Sequence, residues 1–126
     1  MRKYTTPPAA SVDAAALSKA VVRAADQLGL PQAQLPKLLG LSAATASRLT
    51  GSTLQLPPNS TTWELAAAIV RLYRSLAAIT GGKAQAMRNW LHSDNDALGG
   101  EPAQRILTAE GLIHVLQYLD ASRGRI

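Results

Sequence analysis

Apolar residues recur along the chain with helical spacing, and glycine, proline and small polar residues punctuate the runs. Leu17, Ala20, Val21, Ala24 and Leu28 form one stripe that stops at Gly29, with Ser11 and Asp13 upstream as candidate caps. Residues 1–10, carrying Pro7-Pro8 and paired threonines, show no such period and read as a flexible arm. Pro31 restarts the chain into a short helix ending at Gly40, and Ser42 opens another that runs to Thr50. Pro36 inside the first of these is expected to kink it or delay its start, because proline lacks the N–H that a helix interior needs.

A loop with Pro57-Pro58 leads to the longest helix, capped by Asn59 or Ser60. It carries two apolar stripes, one of Leu65, Ile69, Leu72, Leu76 and Ile79, the other of Trp63, Ala66, Val70, Tyr73 and Ala77. Burial on two sides is implied, with Glu64, Ala68, Arg71 and Ser75 left to water. After Gly81-Gly82 come a helix with Ala84, Met87, Trp90 and Leu91, a polar turn, and a short helix started by Pro102. Thr108 caps a last helix bearing Leu112, Val115, Leu116 and Leu119. No convincing alternation of strand type occurs, so the fold class is all-α.

Composition sharpens this picture in three places. The chain has 126 residues, enough for one continuous core or two small subdomains. It has no cysteine, which excludes disulfide frameworks and thiolate metal sites and favours a cytoplasmic setting. The N-terminus runs into threonine and proline where a secretion signal would be apolar, and Arg71 and Arg74 interrupt the most apolar stretch, so neither export nor a membrane span is expected. The net charge of +5 is unevenly placed: up to Gly82 eight basic residues face three acidic ones, and beyond it five face five. That asymmetry suits a polyanion partner for the first two thirds and a different task for the rest, though a basic surface kept for solubility would look the same.

Residues 34–49 have the pattern of a Cro/repressor-like helix-turn-helix. Gly40 sits where the turn needs a permissive backbone, Leu41 seals the corner, Ser42 caps the second helix, and Ala46 and Leu49 face inward. Its outward residues, Ser42, Ala43, Ala44, Thr45, Ser47 and Arg48, are small or hydrogen-bonding, as a helix entering the major groove requires. Arg48 alone among them can grip guanine with two hydrogen bonds, while Gln32, Gln34, Lys37 and Thr50 are candidate phosphate contacts. Arg2 and Lys3 of the arm would add salt-dependent affinity. The competing reading is that the two helices only complete a bundle.

Residues 88–111 contain Trp90-Leu91, Asn95, Ala97-Leu98-Gly99-Gly100, Pro102, Leu107-Thr108 and Gly111 in that order. By themselves they supply apolar anchors, a close turn and two helix starts. Together they resemble the toxin-binding domain of Xre/MbcA/ParS antitoxins, with Ser93 standing where many relatives carry proline. The resemblance implies an arm over residues 1–10, a helix-turn-helix domain with a long linking helix over 11–80, and a small toxin-binding helical domain over 81–126. It further implies a type II antitoxin that blocks the active site of a NAD-consuming RES-domain toxin and represses its own operon through operator DNA, as a homodimer. The pocket-facing candidates carried over are Leu98, Gly99, Gly100, Ser122, Arg123, Gly124, Arg125 and Ile126. Arg123 and Arg125 would either pair with acidic groups or remain solvated.

An enzyme is disfavoured. His92 and His114 are the only histidines, the doubled glycines make no phosphate loop, and Asp94-Asn95-Asp96 lacks the rest of a calcium loop. No cofactor, metal or small-molecule substrate is therefore expected. The remaining rival is a stand-alone regulator or localisation protein with the same fold and no toxin.

Overall fold

The computed structural model describes residues 7–51 and 54–124, and among them it is all-helical. Helix α1 spans Pro7–Gln27, a 3-10 turn covers Gln32–Gln34, and α2 (Leu35–Leu39) and α3 (Ala43–Thr50) follow. Helix α4 (Thr61–Thr80) then leads to α5 (Ala84–Leu91), a second 3-10 turn at Asp96–Leu98, α6 (Pro102–Arg105) and α7 (Ala109–Gly124). No helix among the described residues is long and apolar enough to cross a membrane. Residues 1–6, including Arg2 and Lys3, lie outside the described part. From Pro7 onward the expected arm is already helix, so α1 starts four residues ahead of Ser11.

Local signals set most boundaries. Pro36 falls in the first turn of α2, where a missing N–H has no helical partner to lose, and the chain before it tightens into the 3-10 turn. Proline thus delays the helix and does not bend it. Gly40 takes the left-handed conformation at φ 66°, and both its N–H and that of Leu41 donate to the Pro36 carbonyl. The Ser42 Oγ accepts from the Thr45 N–H at 3.1 Å, and the Ser60 Oγ accepts from the Trp63 N–H at 3.0 Å. Of the two candidates for capping α4, Ser60 is therefore the cap; Asn59 sits just outside it with φ 63°. The Thr108 Oγ1 accepts from the Gly111 N–H at 3.0 Å and starts α7.

Helix α4 is the spine. It packs against α1 and α2 on one side and against α5 and α7 on the other. One continuous apolar core runs from Val21 through Leu28, Leu39, Ile69, Leu72 and Leu91 to Leu119. Two positions of α4 reverse the expected pattern. Ser75 is buried at 1% exposure because α7 covers it, while Ile79, assigned to an apolar stripe, is 44% exposed in the last turn of α4. Ala68 is half-buried, and only Glu64 and Arg71 of the expected solvent face are exposed.

Three arginines stitch the halves together. Arg71 of α4 pairs with Asp120 of α7. The Arg123 guanidinium donates to the Ser75 Oγ at 3.1 Å. Arg88 of α5 reaches the end of α1, donating from Nε to the Gln27 carbonyl and from Nη2 to the Asp26 carbonyl, each at 3.1 Å. Carbonyls in the last turn of a helix lack helical donors and carry its negative pole, so a guanidinium there satisfies both needs. The Arg88 stem lies over Gly29, where even a Cβ would come within 3.1 Å of it.

The loop between α3 and α4 is anchored by one side chain. The Ser18 Oγ accepts from the Leu56 N–H at 3.0 Å and donates to the Ala14 carbonyl at 2.7 Å, which holds Leu56 in the core at 1% exposure.

Candidate binding surfaces

The helix-turn-helix surface is assembled from α2, α3 and the turn before them. Ala46 and Leu49 point into the core at 4% and 3% exposure, as their spacing demanded. That orientation turns Ala43, Ala44, Ser47 and Arg48 outward, and all four are exposed. Gln32 of the 3-10 turn, Ala33 and Pro36 line a shallow groove with Ala43, Ser47 and Thr50, so two of the expected contact groups converge there. Lys37 is exposed but is not among those lining residues, and Gln34 is half-buried.

Two hydroxyls on this face are already engaged. The Ser42 hydroxyl donates to the Thr45 Oγ1 at 2.8 Å while its oxygen caps the helix, and Thr45 is half-buried. The Thr50 hydroxyl donates to the Ser47 carbonyl at 2.9 Å. Ser47 and Arg48 are the polar side chains of α3 that are exposed on its outward face.

The second surface is the corner that joins the polar turn to α6. Asn95 and Gly100 face each other as a backbone pair, the Asn95 N–H donating to the Gly100 carbonyl at 3.0 Å and the Gly100 N–H returning to the Asn95 carbonyl at 3.1 Å. The Asn95 Oδ1 accepts from the Leu98 N–H at 3.2 Å, which fixes the turn between them. Gly99 adopts φ 74° and Gly100 φ 148°, conformations that strongly favour glycine. A Cβ built on either would meet nothing within 4 Å, so the corner opens to solvent.

The sequence-based site needs correcting at Leu98. Its side chain is buried at 1% exposure and belongs to the core, so it supports the corner from below and cannot itself touch a partner. Trp90 and Leu91 behave as anchors: Leu91 is fully buried, and the half-buried Trp90 stacks on Tyr118 of α7 with ring centroids 6.4 Å apart.

The expected tail is in large part not a tail. Ser122, Arg123 and Gly124 continue α7, and the Ser122 hydroxyl donates to the Tyr118 carbonyl at 3.0 Å. Among the described residues Arg123 turns back along the protein, its guanidinium donating to the Ser75 Oγ. Arg125 and Ile126 lie outside the described residues.

Sequence reasoning assigned no role to Arg88 and treated Gly111 only as a motif position. At Gly111 a Cβ would fall 1.8 Å from the Arg105 carbonyl oxygen, so the start of α7 lies against the end of α6 with room for a hydrogen only. A glycine within the first turn of a well-capped helix, where alanine is intrinsically better, was the available signal.

His92 places its Nδ1 at 3.6 Å from the Glu101 Oε1, and His114 is exposed on α7. No group of His, Asp and Glu able to hold a metal ion occurs among the described residues.

Two family descriptions match the chain. The antitoxin Xre-like helix-turn-helix domain matches residues 7–71, and the antitoxin Xre/MbcA/ParS C-terminal toxin-binding domain matches residues 75–125. The first match ends and the second begins within α4, with three residues between them. No curated protein matches the chain.

Proposed function

Because this chain belongs to the Xre/MbcA/ParS antitoxins, we propose that it neutralises a RES-domain toxin that consumes NAD, by occupying that enzyme's active site. In the same reading it acts as a homodimer and represses its own operon through α2 and α3. Residues 11–80 serve DNA binding and residues 81–126 serve the toxin.

The single observation that carries this reading is the exposed Gly99-Gly100 corner within the residues matched by the toxin-binding domain. A tip without side chains enters a cleft too narrow for most loops. The Asn95 pairing and the buried Leu98 hold it in one conformation, so little ordering entropy opposes docking. For the DNA half, support comes from the outward, small and polar face of α3 and from the basic excess before Gly82.

Co-expression with the neighbouring gene tests the toxin half. The neighbour alone should arrest growth and deplete NAD, and this protein should copurify with it and restore growth. Gly99→Arg should abolish rescue; because φ 74° disfavours any side chain there, it should also cost about 1–2 kcal/mol of stability, and circular dichroism on the variant must show it still folded for the loss to count. A harmless neighbour would overturn the reading and leave a stand-alone regulator. Affinity for the upstream DNA, measured at two salt concentrations, tests the other half. Arg48→Ala should cost about 1–3 kcal/mol of specific binding.

A further inference from the structure

The basic excess before Gly82 is not confined to the helix-turn-helix. Lys37 and Arg48 stand on α2 and α3, but Lys19 and Arg23 are exposed one turn apart on α1. Both line a cavity of about 360 Å³ between α1, the end of α3 and the loop that follows it. Gln55 of that loop is exposed and lines the cavity with them, over an apolar floor that includes Val22 and Leu54. Among the described residues no acidic side chain lines it; Asp26 lies along the neighbouring α1/α4 groove, which Lys19 and Arg23 also border. The side chains of Lys19, Arg23 and Gln55 form no ion pair or hydrogen bond with any described residue. Thr50, the last residue of α3, lines both this cavity and the helix-turn-helix groove, so the two depressions are continuous.

We infer that this cavity seats the DNA backbone, with Lys19 and Arg23 gripping phosphate oxygens and the Gln55 amide donating beside them. A helix about 10–12 Å across fills a major groove about 12 Å wide, so a strand of phosphates runs past it on each side. Gln32 borders α3 across the helix-turn-helix groove and can serve one strand. A recognition helix gives its N-terminal residues to base edges, which leaves its C-terminal end, Leu49 and Thr50 here, beside the other strand. The cavity opens at that end. Lys19 and Arg23 lie about 6 Å apart along α1, close enough to hold one stretch of backbone together. Val22 and Leu54, both half-buried, offer an apolar surface to the deoxyribose carbons.

An acidic protein surface would be drawn to the same two cations; continuity with the helix-turn-helix groove through Thr50 favours DNA. Phosphate contacts of this kind position the duplex and read no base, which separates them from the guanine contact expected of Arg48. The inference deepens the DNA half of the proposed function and rests on that reading.

Fluorescence anisotropy on the full chain tests it, with one labelled duplex from the region upstream of the gene and one of the same composition in scrambled order. Lys19→Gln/Arg23→Gln should weaken binding to both duplexes alike. It should also make the slope of log K against log salt shallower by about 1.8, or about 0.9 for each lost contact. The wild type's advantage over this variant should therefore shrink about tenfold between about 50 and about 200 mM salt. Lys19→Arg/Arg23→Lys should keep the wild-type slope, and so should Lys83→Gln, which removes an exposed charge just before α5. An unchanged slope in the glutamine variant, a loss confined to the upstream duplex, or an equal change in the charge-conserving variant or in Lys83→Gln would each overturn the assignment and leave DNA binding itself standing. A wild type that binds neither duplex would remove the DNA reading and this contact with it.

Discussion

Replacing Gly111 by alanine forces a methyl carbon to within 1.8 Å of the Arg105 carbonyl oxygen and 2.8 Å of its carbonyl carbon. Both atoms are backbone, so no rotamer change relieves the contact, and either α6 or the first turn of α7 must shift by more than about 1 Å. Overpacking of this kind costs about 1–3 kcal/mol. The shift also pulls the Gly111 N–H away from the Thr108 Oγ1, the cap of α7, at a further cost of about 1 kcal/mol. Against this, alanine is the better helix former by about 1 kcal/mol. The cap and propensity terms offset each other, and a net loss of about 1–3 kcal/mol remains. Urea denaturation followed by far-ultraviolet circular dichroism measures it, with Glu110→Ala, one exposed residue away, as a control expected to stay within about 0.5 kcal/mol of wild type. A Gly111→Ala protein as stable as wild type, or more so, would refute the reasoning, because it would mean that the α6–α7 junction has slack.

Arg88→Ala should cost about 1 kcal/mol and raise amide exchange at the end of α1, since the Asp26 and Gln27 carbonyls lose their donors; Arg88→Lys should restore part of the effect. Ser18→Ala leaves the Leu56 N–H without a partner inside the core and should cost about 1–3 kcal/mol, read in urea, with faster proteolytic cutting of the loop between α3 and α4. Ser42→Ala should destabilise α3 by about 1 kcal/mol and weaken DNA binding in an electrophoretic shift assay, whereas an unchanged shift would detach the cap from recognition.

Much of the architecture was legible because helix ends announce themselves in short-range chemistry. Pro36, Gly40, Ser42, Ser60 and Thr108 act within three or four residues of where they stand, so sequence alone places them. Periodicity was equally informative for Ala46 and Leu49, whose burial fixes the outward face of α3. What was not legible depends on which distant element lies over a given face. Ser75 reads as a solvent residue until α7 covers it and Arg123 meets its hydroxyl; Ile79 reads as core until α4 outruns its neighbours. Leu98 illustrates the same limit at the candidate site. The motif located the corner correctly, but motif position does not say which of three consecutive residues points inward, and Leu98 is the one that does. Arg88 was invisible for a related reason, because its partners are backbone carbonyls 61 and 62 residues earlier in the chain.

The shared spine bears on how such a protein would be degraded. Ile69, Leu72 and Leu76 are sealed jointly by elements from both ends of the sequence. A protease that trims away α5 through α7 would therefore strip one wall from the remainder, and the surviving piece would lose the rigidity that holds α3 at its angle. On the proposed function, destroying the toxin-binding half would also disable the DNA-binding half, so a single cleavage would both release the toxin and reopen transcription of its replacement.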